Sequence, residues 1–304
     1  MRSSSWKLAG ALWATLAAGA VTSSAQADDL LGLAKLGPLP VLVGLDSDDP
    51  FFPTTIQLLT GVAASEQLVG IDLEVATGDI YGVGHHPRTG ALQLYFIDDS
   101  SLTAVATPVG APFTPTLAKG QPKPTAFGFD FNPTLVQRAR LVADNDMNIV
   151  FNTSTGAVTP ATNLFYATGA APDTNPAADV NVKKNPNVVQ IAYDNNDNDP
   201  TTGSQQRGID TKLDVLVTVA NNTGRLRTIG KLGVNATAVG GYDVSSTGNT
   251  QSFAVMTTAG RAAQRLFSIN NTTGAATVVD IPAVGLFRFT ALTVLNVPAP
   301  PAAP

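Results

Sequence analysis

The 304 residues contain no cysteine, only two histidines, and just 13% charged side chains. Without cysteine there are no disulfides and no thiolate-held metals or clusters. With only His85 and His86, a centre built on three imidazoles is excluded. The tryptophans, Trp6 and Trp13, both lie in the first 27 residues, and beyond these no run is apolar over the roughly 20 residues a helical membrane crossing needs. The nucleophile elbow G-x-S-x-G, the phosphate loop and the dinucleotide fingerprint are also missing. Hydrophobic residues, at 44%, are ample for a core, which excludes a disordered chain.

The N-terminus carries Arg2 and Lys7, then an apolar stretch from Leu8 to about Val21, then Ala25-Gln26-Ala27 before Asp28 and Asp29. That layout is a secretory signal peptide over residues 1–27. Its removal leaves 16 basic and 23 acidic side chains, a net charge of −7, and no tryptophan. An exported protein of periplasm or medium is expected. Such an acidic chain does not suit nucleic acid or anionic membrane, both of which need clustered Lys and Arg. Residues 28–39 read as a linker, 40–295 as one domain, and 296–304 as an extended Pro/Ala tail.

Two signatures repeat through the domain. A small residue, a large apolar residue and Asp recur at Gly70-Ile71-Asp72, Gly128-Phe129-Asp130, Ala192-Tyr193-Asp194 and Gly241-Tyr242-Asp243. Turn-like stretches recur at Asn152–Gly156, Asn221–Gly224 and Asn270–Gly274, with Asp98–Ser101 at the matching place in the first unit. From each Asp to the Thr before the turn glycine is 25, 29 and 30 residues, so the signatures keep phase. Between them lie short segments of strand composition, such as Leu92–Ile97, Leu213–Val219 and Arg265–Ile269. No segment sustains a capped helical period.

The expected fold is all-β. Antiparallel units that bury one face only against neighbours give a β-propeller of five blades, with six as the other count. Four units carry the Asp, and residues 287–295 with 40–62 supply a fifth that closes the ring from both termini. Paired β-sandwiches are the alternative architecture.

The segment Ala126-Phe127-Gly128-Phe129-Asp130-Phe131-Asn132-Pro133 is distinctive. With Arg138–Asn145, Phe151–Val158, Leu68–Asp72 and Leu266–Asn270, it resembles the bacterial domain-of-unknown-function family 4394 over roughly residues 40–295. The resemblance implies an exported, propeller-like protein and no particular activity. Some relatives end in a sorting tail; here Val297-Pro298 is present without the apolar helix that would follow. The loop 194–206 is longer and more acidic than is usual for the family.

Asp72, Asp130, Asp194 and Asp243 are the first binding candidates. Inner strands of a propeller line its channel, so these carboxylates could ring it and take a cation or a basic ligand. The structural reading is weighed above this: an Asp repeated beside a turn accepts backbone N–H groups and locks blade to blade. Asp194, Asn196 and Asn198 match the first three ligands of a calcium loop, but Asp199 stands where Gly is needed and Gln205 where Glu is needed. Asp144-x-Asp146-x-Asn148 is a weaker match. His85-His86 reads as an exposed loop pair whose rings point opposite ways. No catalytic residue is assigned, and calcium is the one cofactor considered. The expected function is a non-catalytic scaffold binding a protein, surface polymer or small ligand. The alternatives are a metal-dependent hydrolase or lactonase-like enzyme using the channel aspartates, and a structural envelope or matrix protein.

Overall fold

The computed structural model describes residues 27–170, 175, 177–197, 199, 201–245, 248–280 and 287–295. Strands β1 (Asp29–Leu36), β2 (Leu39–Asp46) and β3 (Thr55–Thr60) open the chain. Blade 1 follows as β4 (Gln67–Glu74), β5 (Asp79–His85), β6 (Leu92–Asp98) and β7 (Thr103–Phe113). Blade 2 is β8 (Phe127–Phe131), β9 (Arg138–Ala143), β10 (Asn148–Asn152) and β11 (Val158–Pro160). The two-residue β12 (Phe165–Tyr166) precedes blade 3, which is β13 (Val188–Tyr193), β14 (Gln206–Asp210), β15 (Val215–Ala220) and β16 (Arg225–Lys231). Blade 4 is β17 (Ala236–Val244), β18 (Gln251–Thr258), β19 (Arg265–Asn270) and β20 (Ala276–Asp280). The last strand, β21 (Phe287–Val294), pairs with β1, so blade 5 takes its inner strand from the C-terminal end and three strands from the N-terminal end.

Each blade is an antiparallel meander, and the inner strands pack in the cycle β21, β4, β8, β13, β17 and back to β21. Among the described residues this is a closed five-bladed β-propeller, which displaces the sandwich alternative and the count of six. Closure is doubled at the rim, where β3 pairs in parallel with β7 and joins blades 5 and 1 into one eight-stranded sheet. β12 adds in parallel to β16 and covers the outer edge of blade 3.

The expected linker at 28–39 is corrected. Residues Asp29–Leu36 form β1, with Leu30, Leu31, Leu33 and Ala34 buried. Leu31 and Leu33 pack toward blade 1, while Leu30 and Ala34 pack toward Phe253 and Val255 of blade 4. A strand covered on both faces reads as a continuous apolar run and shows no alternation. The core is a set of such inter-blade layers. Between blades 1 and 2, Val83, Leu92 and Leu94 meet Phe127, Phe129, Leu141 and Phe151. Each of these side chains contributes about 1.5–3 kcal/mol by leaving water.

The repeated turns join the third and fourth strands of their blades, all at one end of the propeller. Asn152 Oδ1 accepts from the Ser154 amide at 3.0 Å, and Asn270 Oδ1 from Thr272 and Thr273 at 2.9 Å. Gly156 and Gly274 close these turns at φ 71° and 80°. A Cβ on Gly156 would lie 2.2 Å from the Val109 carbonyl oxygen of the previous blade, so glycine serves both the turn and the close approach.

Candidate functional site in the central channel

Close approach also explains the small residue of the first signature. A Cβ on Gly70 would lie 2.6 Å from Phe129 Cβ, one on Gly128 2.6 Å from Gln190 Cα, and one on Gly241 2.2 Å from Leu292 N. The inner strands converge there on the axis. The large residues, Ile71, Phe129 and Tyr242, fill the layers between blades.

The aspartates then reach around the ring. Asp72 Oδ2 accepts the Phe131 amide at 2.7 Å, and Asp130 Oδ2 accepts the Tyr193 amide at 2.7 Å. Asp243 Oδ2 accepts the Val294 amide at 2.6 Å, and its Oδ1 accepts Val244 N at 2.6 Å. In blade 5 the position belongs to Thr293, whose Oγ1 donates to Asp72 Oδ1 at 2.6 Å and lies 3.3 Å from Asp243 Oδ2. Apart from the Asp243–Val244 contact within β17, each link joins one blade to the next.

This register corrects one assignment. The Tyr193 amide answers Asp130 as the Phe131 amide answers Asp72, so the counterpart of Asp130 in blade 3 is Ala192. Asp194 lies two residues further on. Alternation with period two keeps it on the same strand face, which is why the sequence pattern accommodated it. Asp194 Oδ2 pairs with Arg207 Nη1 at 2.5 Å and its Oδ1 accepts the Gln205 amide at 2.6 Å.

Asp72, Asp130 and Asp243 bring one carboxylate oxygen each to within 4.8 Å of one another, all buried; among the described residues no other such acidic or imidazole cluster forms. Burial pushes Asp72 up to about 6. Asp130 is raised well above the ordinary range by burial and by the Asp72 and Asp243 charges. Asp243 is raised the same way, by burial and Asp72. Three carboxylates so close cannot all be ionised without compensation. The cluster can share protons as a hydrogen-bonded group or hold a hard cation through oxygen ligands; its oxygens already engaged with backbone amides favour the lock.

The loop after β13 is built differently. Asp197 Oδ1 accepts the Asp199 amide at 3.0 Å, and Asp199 Oδ1 accepts the Thr201 amide at 2.8 Å. These are local Asx turns. Both Asp194 oxygens are engaged within blade 3. Asn196 is half-buried, and Asn198 lies outside the described residues. The histidine pair is also corrected. His85 is buried at the end of β5, its ring 4.8 Å from that of Phe127, and burial lowers its pKa. His86 caps the following turn, its Nδ1 accepting from Arg88 N at 3.2 Å. The two do diverge, as an extended backbone requires.

Sequence reasoning missed a skew of charge between the two ends of the propeller. Register places Asp29, Asp46, Asp48, Asp49, Asp79, Asp98, Asp99, Asp197 and Asp199 at the end where the inner strands finish. Lys35, Arg88, Lys119, Lys123, Lys212, Lys231, Arg261 and Arg288 sit at the other, so charge is skewed between the ends, although Glu66, Asp144, Asp210 and Asp214 share the basic end and Arg138, Arg207 and Arg225 the acidic one. Loops scattered through the chain make up each end, so no local window reveals it.

The fold and its channel define an all-β propeller closed by a carboxylate lock. The chain belongs to the family described as domain of unknown function DUF4394, whose domain matches residues 41–285. No curated protein matches the sequence. Among solved structures, a structural genomics protein of unknown function from Bacteroides thetaiotaomicron is 15% identical at a TM-score of 0.48, over 88% of this chain and 64% of that one. The chain thus spans under two thirds of that neighbour's length. Myxococcus xanthus glutaminyl cyclase is 12% identical at 0.46, over 79% and 84% of the two chains. YCF48 bound to D1 peptide is 8% identical at 0.41, over 74% and 58%.

Proposed function

We propose that this protein is an exported, non-catalytic binding scaffold that engages a basic protein or surface polymer through its acidic end. The observation that supports the reading is an aromatic pair at that end. Phe51 and Phe52 stand 44% and 66% exposed on the loop after β2, in edge-to-face contact with centroids 4.9 Å apart, one residue beyond Asp48 and Asp49. Exposed aromatics framed by one sign of charge suit a partner offering apolar and cationic groups together. A ring of locked blades presents them rigidly. Export makes the mature chain begin at Asp28, which N-terminal sequencing of the extracytoplasmic protein checks.

The test is retention of envelope components on the immobilised mature protein. Phe51→Ser with Phe52→Ser should abolish retention without lowering the melting temperature, and added salt should weaken it. Retention that survives both changes overturns the reading. A second reading, a metal-dependent hydrolase or lactonase-like enzyme, draws on the convergence of Asp72, Asp130 and Asp243. It requires a stoichiometric divalent metal in the purified protein that Asp130→Asn removes.

A further inference from the structure

Blades 2 and 3 part at the acidic end to leave a cleft of about 190 Å³, and a buried cation lines it. Arg140, on β9, is 5% exposed. Its Nε donates to Tyr193 Oη at 2.9 Å, and Nη1 to Asn148 Oδ1 at 2.6 Å and the Asn221 carbonyl at 3.1 Å. Nη2 donates to Asn222 Oδ1 at 3.0 Å. Four of the five guanidinium N–H groups are thus given to neutral oxygens, leaving one on Nη2. No carboxylate lies within ion-pair distance, since Arg207–Asp194 is the only ion pair between described residues.

A guanidinium withdrawn from water calls for an anion, and the carboxyl opposite it on β8, Asp130, is engaged with the Tyr193 amide and makes no ion pair with it. The fold supplies an open cleft instead. Arg138, exposed at the rim, adds a second positive charge, while Leu135 and Val150 contribute an apolar wall. No acidic side chain lines the cleft, although the surrounding end of the propeller is acidic. That setting repels polyanions and admits a single compact negative group.

We propose that this cleft binds a carboxylate, carried by a small organic acid or by the C-terminus of a peptide. The peptide source has room, because a shallower uncharged groove continues over Val150, Thr159 and Thr162. The inference does not rest on the Phe51–Phe52 surface, so either can fail alone.

Calorimetry on the mature protein tests it with acetate, benzoate, an N-acetylated tripeptide and the amide of that tripeptide. The free acids should bind and the amide should not. Much tighter binding of the tripeptide acid identifies a peptide terminus as the source, and parity with benzoate identifies a small acid. Arg140→Lys should abolish binding. Because Arg140 also bridges blades, the deciding variant is Arg138→Gln, which should weaken binding about tenfold, the worth of one charge-assisted hydrogen bond, at unchanged melting temperature. The proposal is overturned if no free acid binds, if the amide matches the acid, or if Arg138→Gln leaves the affinity intact.

Discussion

Raising the pH should weaken the metal-free protein through its channel, and Asp130→Asn should reduce the loss by removing one of the three buried carboxyls. An unfolded Asp titrates at 3.8, whereas folded Asp72 titrates at about 6. The folded state therefore holds this proton more tightly. Its contribution to stability is complete below pH 3.8 and is lost as the pH climbs through about 6. The loss comes to about 3 kcal/mol. Mutual repulsion acts on Asp130 and Asp243: unit charges no more than 4.8 Å apart repel by at least about 3.5 kcal/mol at an effective dielectric near 20. Asp130 and Asp243 act in the same direction at higher pH. Asn at 130 keeps an oxygen for the Tyr193 amide, so the lock survives while the central charge goes. Calorimetric melts in chelator between about pH 4 and 8 should show the wild type falling by about 5–10 °C. The variant should match it at the acid end and exceed it at the alkaline end. Asp98 and Asp199, lowered by hydrogen bonds from Ser100 and Thr201, titrate below this window. Asp146, raised to about 6 by burial, is common to both proteins and cancels in the comparison. A wild-type melting temperature that stays flat or rises, or a variant that falls in parallel, would falsify the shared-proton account.

Ala192→Asp restores the repeat in blade 3 and places a fourth carboxylate on the ring. It should leave stability at about pH 4 nearly unchanged and deepen the alkaline loss, read from the same melts. Asp194→Ala strands the part-buried Arg207 and should cost about 3 kcal/mol in urea unfolding; a loss below about 0.5 kcal/mol would mean the pair is effectively solvated. Gly128→Ala drives a methyl against the Gln190 backbone and should cost about 1–3 kcal/mol, whereas Gly78→Ala, with nothing near its Cβ, should cost only the strain of its φ of 77°.

The fold was legible because a propeller repeats its physics. Blades 1, 2 and 4 carry a small residue where inner strands converge and an Asp that catches the neighbouring amide, and blades 2, 3 and 4 carry a glycine turn at the rim, and these recur in phase. Legibility failed where one requirement could be met in two ways. Asp194 fits the small–large–Asp pattern, yet the amide it would need to mirror belongs to Tyr193, and only inter-blade register reveals the offset. It failed again at β1, whose burial on both faces erased the alternation that marks a strand. His85 looked exposed because Pro87 and Gly90 suggested a loop, but the strand runs one residue further and buries the ring against Phe127.

The strand class, the repeat and the closure from both ends were legible in the sequence, because these follow from local patterning and its period. Tertiary structure alone decided the convergence of Asp72, Asp130 and Asp243 without Asp194, the skew of charge between the two ends, and the cleft beside Arg140. Those depend on which distant loops share an end and which blades adjoin. A guanidinium in β9 meets Asn221 and Asn222, some eighty residues away, only once the ring has closed.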